Sequence, residues 1–111
     1  MFGSAFEHFL ILEVRAAISY KQAAIPMRFW RTSTGSEVDL ILGDDIAIEF
    51  KSSREVSDKH LKGLRALKEE NLLRRYMVVS QDQRPRLTDE GIEILPRAEF
   101  LKQLWDGDLL R

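Results

Sequence analysis

The apolar positions of this chain change their period several times, and each change marks an element. From Ser4 to Lys21 ("SAFEHFLILEVRAAISYK") hydrophobic residues return every three or four places, the signature of a helix with one buried face. At about 100° per residue, Phe6, Phe9, Leu10, Ala17 and Tyr20 share that face. Glu13 falls among them, and Glu7 lies at the edge beside Val14 and Ile18. Ser4 and Glu7 also form the S-x-x-E pattern of a capping box. After Pro26 the pattern shortens to strands: Met27 to Thr32, Val38 to Leu42, and Ile46 to Lys51. Thr34-Gly35 and Gly43-Asp44-Asp45 are the turn signals between them. Connections this short require an antiparallel meander.

Helical spacing then returns. Ser57 is the expected cap of a second helix running to about Asn71, with Val56 and Leu61 as a hydrophobic staple. Leu61, Leu64, Leu67 and Leu72 are its expected buried stripe. Tyr76 to Val79 is a fourth strand. A strand, a helix and a strand in series imply a crossover, so this strand is expected parallel to another in the sheet. "QDQRPRLTDEG" reads as a polar loop, Ile92 to Leu95 as a short edge strand, and Ala98 to Trp105 as a terminal helix. The expected fold is α/β, in the order α-β-β-β-α-β, with a mixed sheet of four to five strands flanked by helices. A chain of 111 residues suits a single core.

Composition narrows the chemistry. With 44% hydrophobic and 32% charged residues the chain has the make-up of a soluble globular protein. No apolar run reaches the roughly 18 residues of a membrane span, and no basic leader precedes the N-terminal apolar stretch, so no secretory signal is expected. The chain has no cysteine, which removes disulfides, thiolate metal sites and thiol nucleophiles and fits a cytoplasmic protein. The net charge of −1 does not by itself point to nucleic acid. Lys59, Lys62, Arg65 and Lys68 recur at helical spacing, the mark of a solvated face.

Two of the most hydrophobic segments carry charges. Strand alternation puts Glu37, Asp39 and Ile41 on one face of the second strand, opposite Val38, Leu40 and Leu42. It puts Ala47, Glu49 and Lys51 on one face of the third, opposite Ile46, Ile48 and Phe50. Asp39, Glu49 and Lys51 can therefore converge. Clustered carboxylates repel unless a proton or cation lies between them. A hard divalent cation such as Mg²⁺ suits that oxygen environment, and a neighbouring lysine can orient a water or neutralise a phosphate. The bland alternative is a strand-end ion pair in which Lys51 balances the two acids. On the first helix, Glu7 is accounted for by the capping box and Glu13 by a salt bridge to Arg28 or Arg31; either could instead complete a cation site. Trp30 is expected in the core, and His60 at the surface rather than as a ligand.

An acid on the first helix ("GSAFEHFL"), an aspartate on the second strand ("EVDLIL") and E-x-K on the third ("AIEFKSS") resemble the PD-(D/E)XK nuclease fold. Holliday-junction resolvases and RecB-type nuclease domains share that fold. More narrowly, "FEHFLILEVRAA", "FWRTSTGSEVDLIL", "IAIEFKSS" and "LKGLRAL" resemble the domain of unknown function at the C-terminus of bacterial and archaeal P-loop ATPases of the AAA+ type. The resemblance implies a restriction-endonuclease-like αβββαβ core. It implies Mg²⁺ (or Mn²⁺) held by Asp39, Glu49 and the Phe50 carbonyl, with Glu7 at a second cation or its water. Lys51 would position the attacking water and stabilise the transition state. Val38 stands where the name-giving proline would be, which removes no ligand. No G-x-x-x-x-G-K-[ST] occurs in the chain, so this chain is not the ATPase itself; it is expected to be the C-terminal fragment of a longer ATPase, joined to its N-terminal ATPase domain, or else a stand-alone version of the C-terminal domain.

Two functions follow as expectations. One is a Mg²⁺-dependent nuclease-like module acting on nucleic acid. The other is a catalytically weak regulatory module of that ATPase, binding nucleic acid or protein; the acidic net charge and the lack of a concentrated basic tract favour it. Arg28, Arg31, Lys59 and Lys62 are the candidate contacts to a DNA backbone, with Ser52 and Ser53 able to touch phosphate. Arg28 and Arg31 can equally pair with acids on neighbouring strands.

Overall fold

The computed structural model describes residues 4–110. The described elements run in the order α1 (Ser4–Tyr20), β1 (Met27–Arg31), β2 (Glu37–Leu42), β3 (Ile46–Phe50), a 3₁₀ turn (Asp58–Leu61), α2 (Lys62–Lys68), β4 (Arg75–Ser80), β5 (Arg86–Leu87), β6 (Glu93–Pro96) and α3 (Arg97–Trp105). The Ser4 side chain lies outside the described residues, and the expected capping box with it.

The strands form one mixed sheet of six, in the order β1-β2-β3-β4-β6-β5. The β1-β2-β3 meander is antiparallel, as its short turns require. Gly43, at φ +61, makes the reversal between β2 and β3. After α2 the chain returns as β4, parallel to β3. The C-terminal part corrects the sequence reading. The expected edge strand, Ile92 to Leu95, is observed as Glu93–Pro96 and is internal. It pairs parallel to β4 on one side and antiparallel to β5 on the other. β5 lies inside the segment taken for a loop. A strand of two exposed residues leaves no apolar period to read.

Helices cover both faces. Leu10, Val14 and Ala17 of α1 pack with Phe100 and Leu104 of α3 on Leu42, Ile46, Ile48, Phe50, Met77 and Val79. Leu61, Leu64 and Leu67 pack on Val38, Ala47, Tyr76, Val78, Ile92 and Ile94 from the opposite side. The central strands are therefore buried on both faces, and all five residues of β3 are buried. Glu49 is one of them.

Two helix faces differ from expectation. On α1, Phe9 and Tyr20 are exposed, and the buried line is Leu10, Val14 and Ala17. Continued one step toward the N-terminus at the same spacing, that line reaches Glu7. The second helix starts as a 3₁₀ turn and ends as an α-helix at Lys68, although turn hydrogen bonds continue to Asn71. Asn71 takes a left-handed φ of +52 that stops the helix, and Leu72 beyond it is 73% exposed rather than part of the buried stripe. Trp30 is half-buried against the α2-side core. Gly63 has no room for a side chain, because a Cβ there would overlap the Glu37 carbonyl. The helix thus lies directly on the backbone of β2.

Candidate active site

The site forms where β2 leaves β3. Between the pairs Arg28–Ile41 and Trp30–Val38, one residue of β1 faces two of β2, Asp39 and Leu40. This bulge resets the alternation. Leu40 and Leu42 face the α1 side, but Val38 faces the α2 side, contrary to the expectation that all three share a face. The backbone ladder between β2 and β3 ends at the Leu40–Ile48 pair. Beyond it, side chains take over. The Asp39 N–H donates to Glu49 Oε1 at 2.9 Å, and Asp39 Oδ2 accepts from the Phe50 N–H at 2.9 Å. Meanwhile β3 stays tied to β4, with the Lys51 N–H donating to the Val79 carbonyl at 2.9 Å. The sheet opens on one side and remains anchored on the other.

Into this opening come the four residues singled out in the sequence. Glu7 comes in from α1 beside Asp39, whose side chain and charge act on it. Lys51 Nζ lies 3.5 Å from Glu49 Oε2. Glu49 is 6% exposed. Burial first, then the charge of Asp39, pushes its carboxyl up to about 8, although the Asp39 N–H and Lys51 oppose the shift. Burial, then the hydrogen bond and charge of Asp39, raises Glu7 to about 7. The ion-pair alternative is thus met only in part. One lysine, itself 37% exposed, does not offset three converging carboxyl groups.

Glu13 does not join them. Its Oε1 accepts from Trp105 Nε1 at 3.1 Å, tying α1 to α3 in place of the expected salt bridge to Arg28 or Arg31. Arg28 pairs with Asp44 in the β2–β3 turn, at the other end of the hairpin from Asp39. Arg31 stacks over Phe29 at 5.3 Å and sits opposite Glu37, at the site end of the sheet. Lys59 and Lys62 are exposed on the 3₁₀ turn and the start of α2. The Phe50 ring meets Phe100 edge-on at 5.9 Å, which anchors the backbone between Glu49 and Lys51.

Sequence reasoning missed the supports. The segment after Lys51 is stitched to the end of β4: Gln81 donates from its N–H to the Ser53 carbonyl and from Nε2 to the Ser52 carbonyl. Buried Asp82 accepts from Ser80 Oγ, the Val56 N–H and Arg86. These hydrogen bonds overcome the burial that would raise its pKa and hold it below the usual carboxylate value. Polar loop residues carry no period that would have revealed them. Gly63 did carry a signal, because a glycine inside a leucine-striped helix marks close packing.

A family model described as Domain of unknown function (DUF4143) matches residues 2–100. The chain belongs to the DUF4143 family. No curated protein and no solved structure matches it. The acids and lysine of this DUF4143 domain have the donor chemistry for a hard cation: carboxylate oxygens whose mutual repulsion a proton or a cation would relieve. Among the described residues, no three acidic or histidine side chains are already gathered as a metal cluster. Asp39 Oδ2 and Glu49 Oε1 are held by backbone N–H groups and Glu49 Oε2 pairs with Lys51, so a cation would draw on Asp39 Oδ1, Glu7 and Glu49 Oε2 in competition with that lysine.

Proposed function

We propose that this DUF4143 domain is a nuclease-like module with a PD-(D/E)XK, restriction-endonuclease-like core that hydrolyses nucleic-acid phosphodiesters with Mg²⁺ or Mn²⁺. In this reading it is the C-terminal module of an AAA+ type ATPase. The observation that supports it most is the meeting of Glu7, Asp39, Glu49 and Lys51, from three separate elements, where the sheet opens. Asp39, Glu49 and the Phe50 carbonyl would hold the cation, with Glu7 at its edge. When bound, the ion supplies charge neutralisation on the phosphate and a more acidic water. Lys51 orients that water and takes up charge developing on the phosphate oxygens. To hold the ion, Glu7 and Glu49 would have to be deprotonated, so its affinity would rise with pH.

A second reading, a catalytically weak nucleic-acid- or protein-binding regulatory module, draws on a different observation. Asp39 and Glu49 each satisfy a backbone N–H where the ladder ends, and that alone gives both acids a structural use. Labelled duplex, branched and single-stranded DNA and RNA incubated with Mg²⁺ or Mn²⁺ decide between the two. The nuclease reading expects cleavage that Glu49→Gln and Lys51→Ala abolish. No cleavage of any of these substrates, with no Mg²⁺ binding by calorimetry, favours the second.

A further inference from the structure

We propose that His60 contacts the substrate at this site, donating its Nε2–H to a phosphate oxygen of a nucleic acid lying beside Lys51. The inference rests on the nuclease-like reading for its substrate class, and on three observations of its own.

The first is the tautomer. The Ser57 N–H donates to His60 Nδ1 at 3.0 Å. A ring nitrogen that accepts carries no proton, so in the neutral ring the proton is on Nε2. The helix start therefore holds the imidazole with a donor at its far end. The second is access. His60 is half-buried, and among the described residues Nε2 has no hydrogen-bond partner. No buried side-chain nitrogen or oxygen lacks a partner there either, so Nε2 is open to solvent. The third is position. Gly63, one turn along from His60, lies against the Glu37 carbonyl, two residues from Asp39, so this helix start stands at the site end of β2, and the nearest-acting cations on the ring are Lys51 and Lys59. Partial burial, then these two lysines, holds His60 below the usual histidine pKa, so the neutral donor persists near neutral pH.

Lys51, Lys59 and His60 thus offer two cations and a neutral directional donor on the α2 side of the acids. Carboxylates gather in the opening while N–H donors border it. That arrangement suits a phosphodiester, which needs donors for its non-bridging oxygens.

Two substitutions separate this contact from the structural use of His60. Asn at position 60 keeps an acceptor for the Ser57 N–H but does not reach as far as Nε2. Gln, an ordinary capping-box partner at this position, keeps an acceptor for the Ser57 N–H and adds an amide N–H of longer reach. The probe is a short fluorescein-labelled DNA duplex with single-stranded tails, titrated in chelator and again with Mg²⁺, alongside thermal melts. The expected result is that His60→Asn melts like the parent yet binds about tenfold more weakly, the scale of one hydrogen bond to a charged group. His60→Gln recovers much of the affinity. His60→Asn binding like the parent overturns the proposal, as does a parent chain that binds no such probe. Affinity that follows melting point across both variants also overturns it. Loss of affinity in His60→Asn without any Mg²⁺-dependent cleavage by the parent leaves this contact standing and removes the nuclease reading instead.

Discussion

Asp39 and Glu49 bridge the gap where their two strands part. The Asp39 N–H is held by Glu49 Oε1, and the N–H next to Glu49, that of Phe50, is held by Asp39 Oδ2. Each acid thus replaces a ladder bond that the bulge in β2 removes. The same geometry brings their charges together in a place where Glu49 has almost no water. Hydrogen bonding favours keeping both carboxyl groups there, while electrostatics favours a proton or cation between them.

Substitution separates those two effects at Asp39. Asn can still accept from the Phe50 N–H but carries no charge. In chelator at about pH 8, close to the raised Glu49 value, Asp39→Asn is expected to melt at or above the parent temperature. Asp39→Ala leaves the Phe50 N–H without its acceptor and is expected to cost about 1–3 kcal/mol. A marked fall in the Asn melting point would mean that the ionised carboxylate is itself the structural element, contrary to the cation-site reading.

The raised carboxyl values set a pH dependence. Glu49 binds its proton more tightly folded than unfolded, so the folded state carries more protons between about 4.5 and 8, and Glu7 acts likewise between about 4.5 and 7. Stability therefore falls as pH rises through this window and levels off above it, with His60, held below its usual value of 6.5, opposing the decline in the lower part of the window. Asp45, Asp82 and Glu90 have lowered values, so their contributions are lost only below the window. Melting points from about pH 5 to 9 in chelator should decline toward about 8. Glu49→Gln should flatten most of the decline. Saturating Mg²⁺ should reverse it, because the cation binds the deprotonated groups.

Gly63 ties α2 to the strand that carries Asp39. A methyl group there meets the Glu37 carbonyl, which is backbone and cannot swing away. Gly63→Ala should destabilise by about 1–3 kcal/mol despite the better helix propensity of alanine. It should also weaken Mg²⁺ binding, because Glu37 is two residues from Asp39. A stabilised Gly63→Ala protein would show that α2 does not lie this close to β2.

The sequence marked this cluster of charged residues more fully than the packing around it. Glu7, Asp39, Glu49 and Lys51 stood out because charges interrupt apolar runs, and a buried charge is costly wherever the fold puts it. What strand alternation could not convey was the bulge, a change of register that leaves no compositional mark. It moved Val38 to the other face and opened the ladder at Asp39. The α1 face was misjudged because apolar residues nearly encircle that helix, so Phe9 and Tyr20 count toward the pattern yet remain in solvent. β5 and the Asp82 network are built from polar residues whose partners are distant in the chain.

The two acids on α1 take different places. By spacing Glu13 falls within the apolar face and Glu7 at its edge, and only the resemblance favours Glu7. Leu10, Val14 and Ala17 define the buried line that Glu7 extends, and Glu7 meets Asp39 at its end. Glu13 instead accepts from the Trp105 indole, whose N–H needs a partner when partly buried. Glutamine separates their roles. Glu13→Gln keeps a carbonyl oxygen for Trp105, so stability and Mg²⁺ affinity should both match the parent, whereas Glu13→Ala should lose about 1 kcal/mol of stability with the affinity unchanged. Glu7→Gln removes a charge and leaves an amide able to hydrogen-bond Asp39. Its melting point in chelator should hold or rise, while Mg²⁺ affinity by calorimetric titration should fall. The opposite pattern, with Glu13→Gln losing Mg²⁺ and Glu7→Gln keeping it, would transfer the role to Glu13. Unchanged affinity in both would leave Asp39 and Glu49 as the only carboxylates of the cation site.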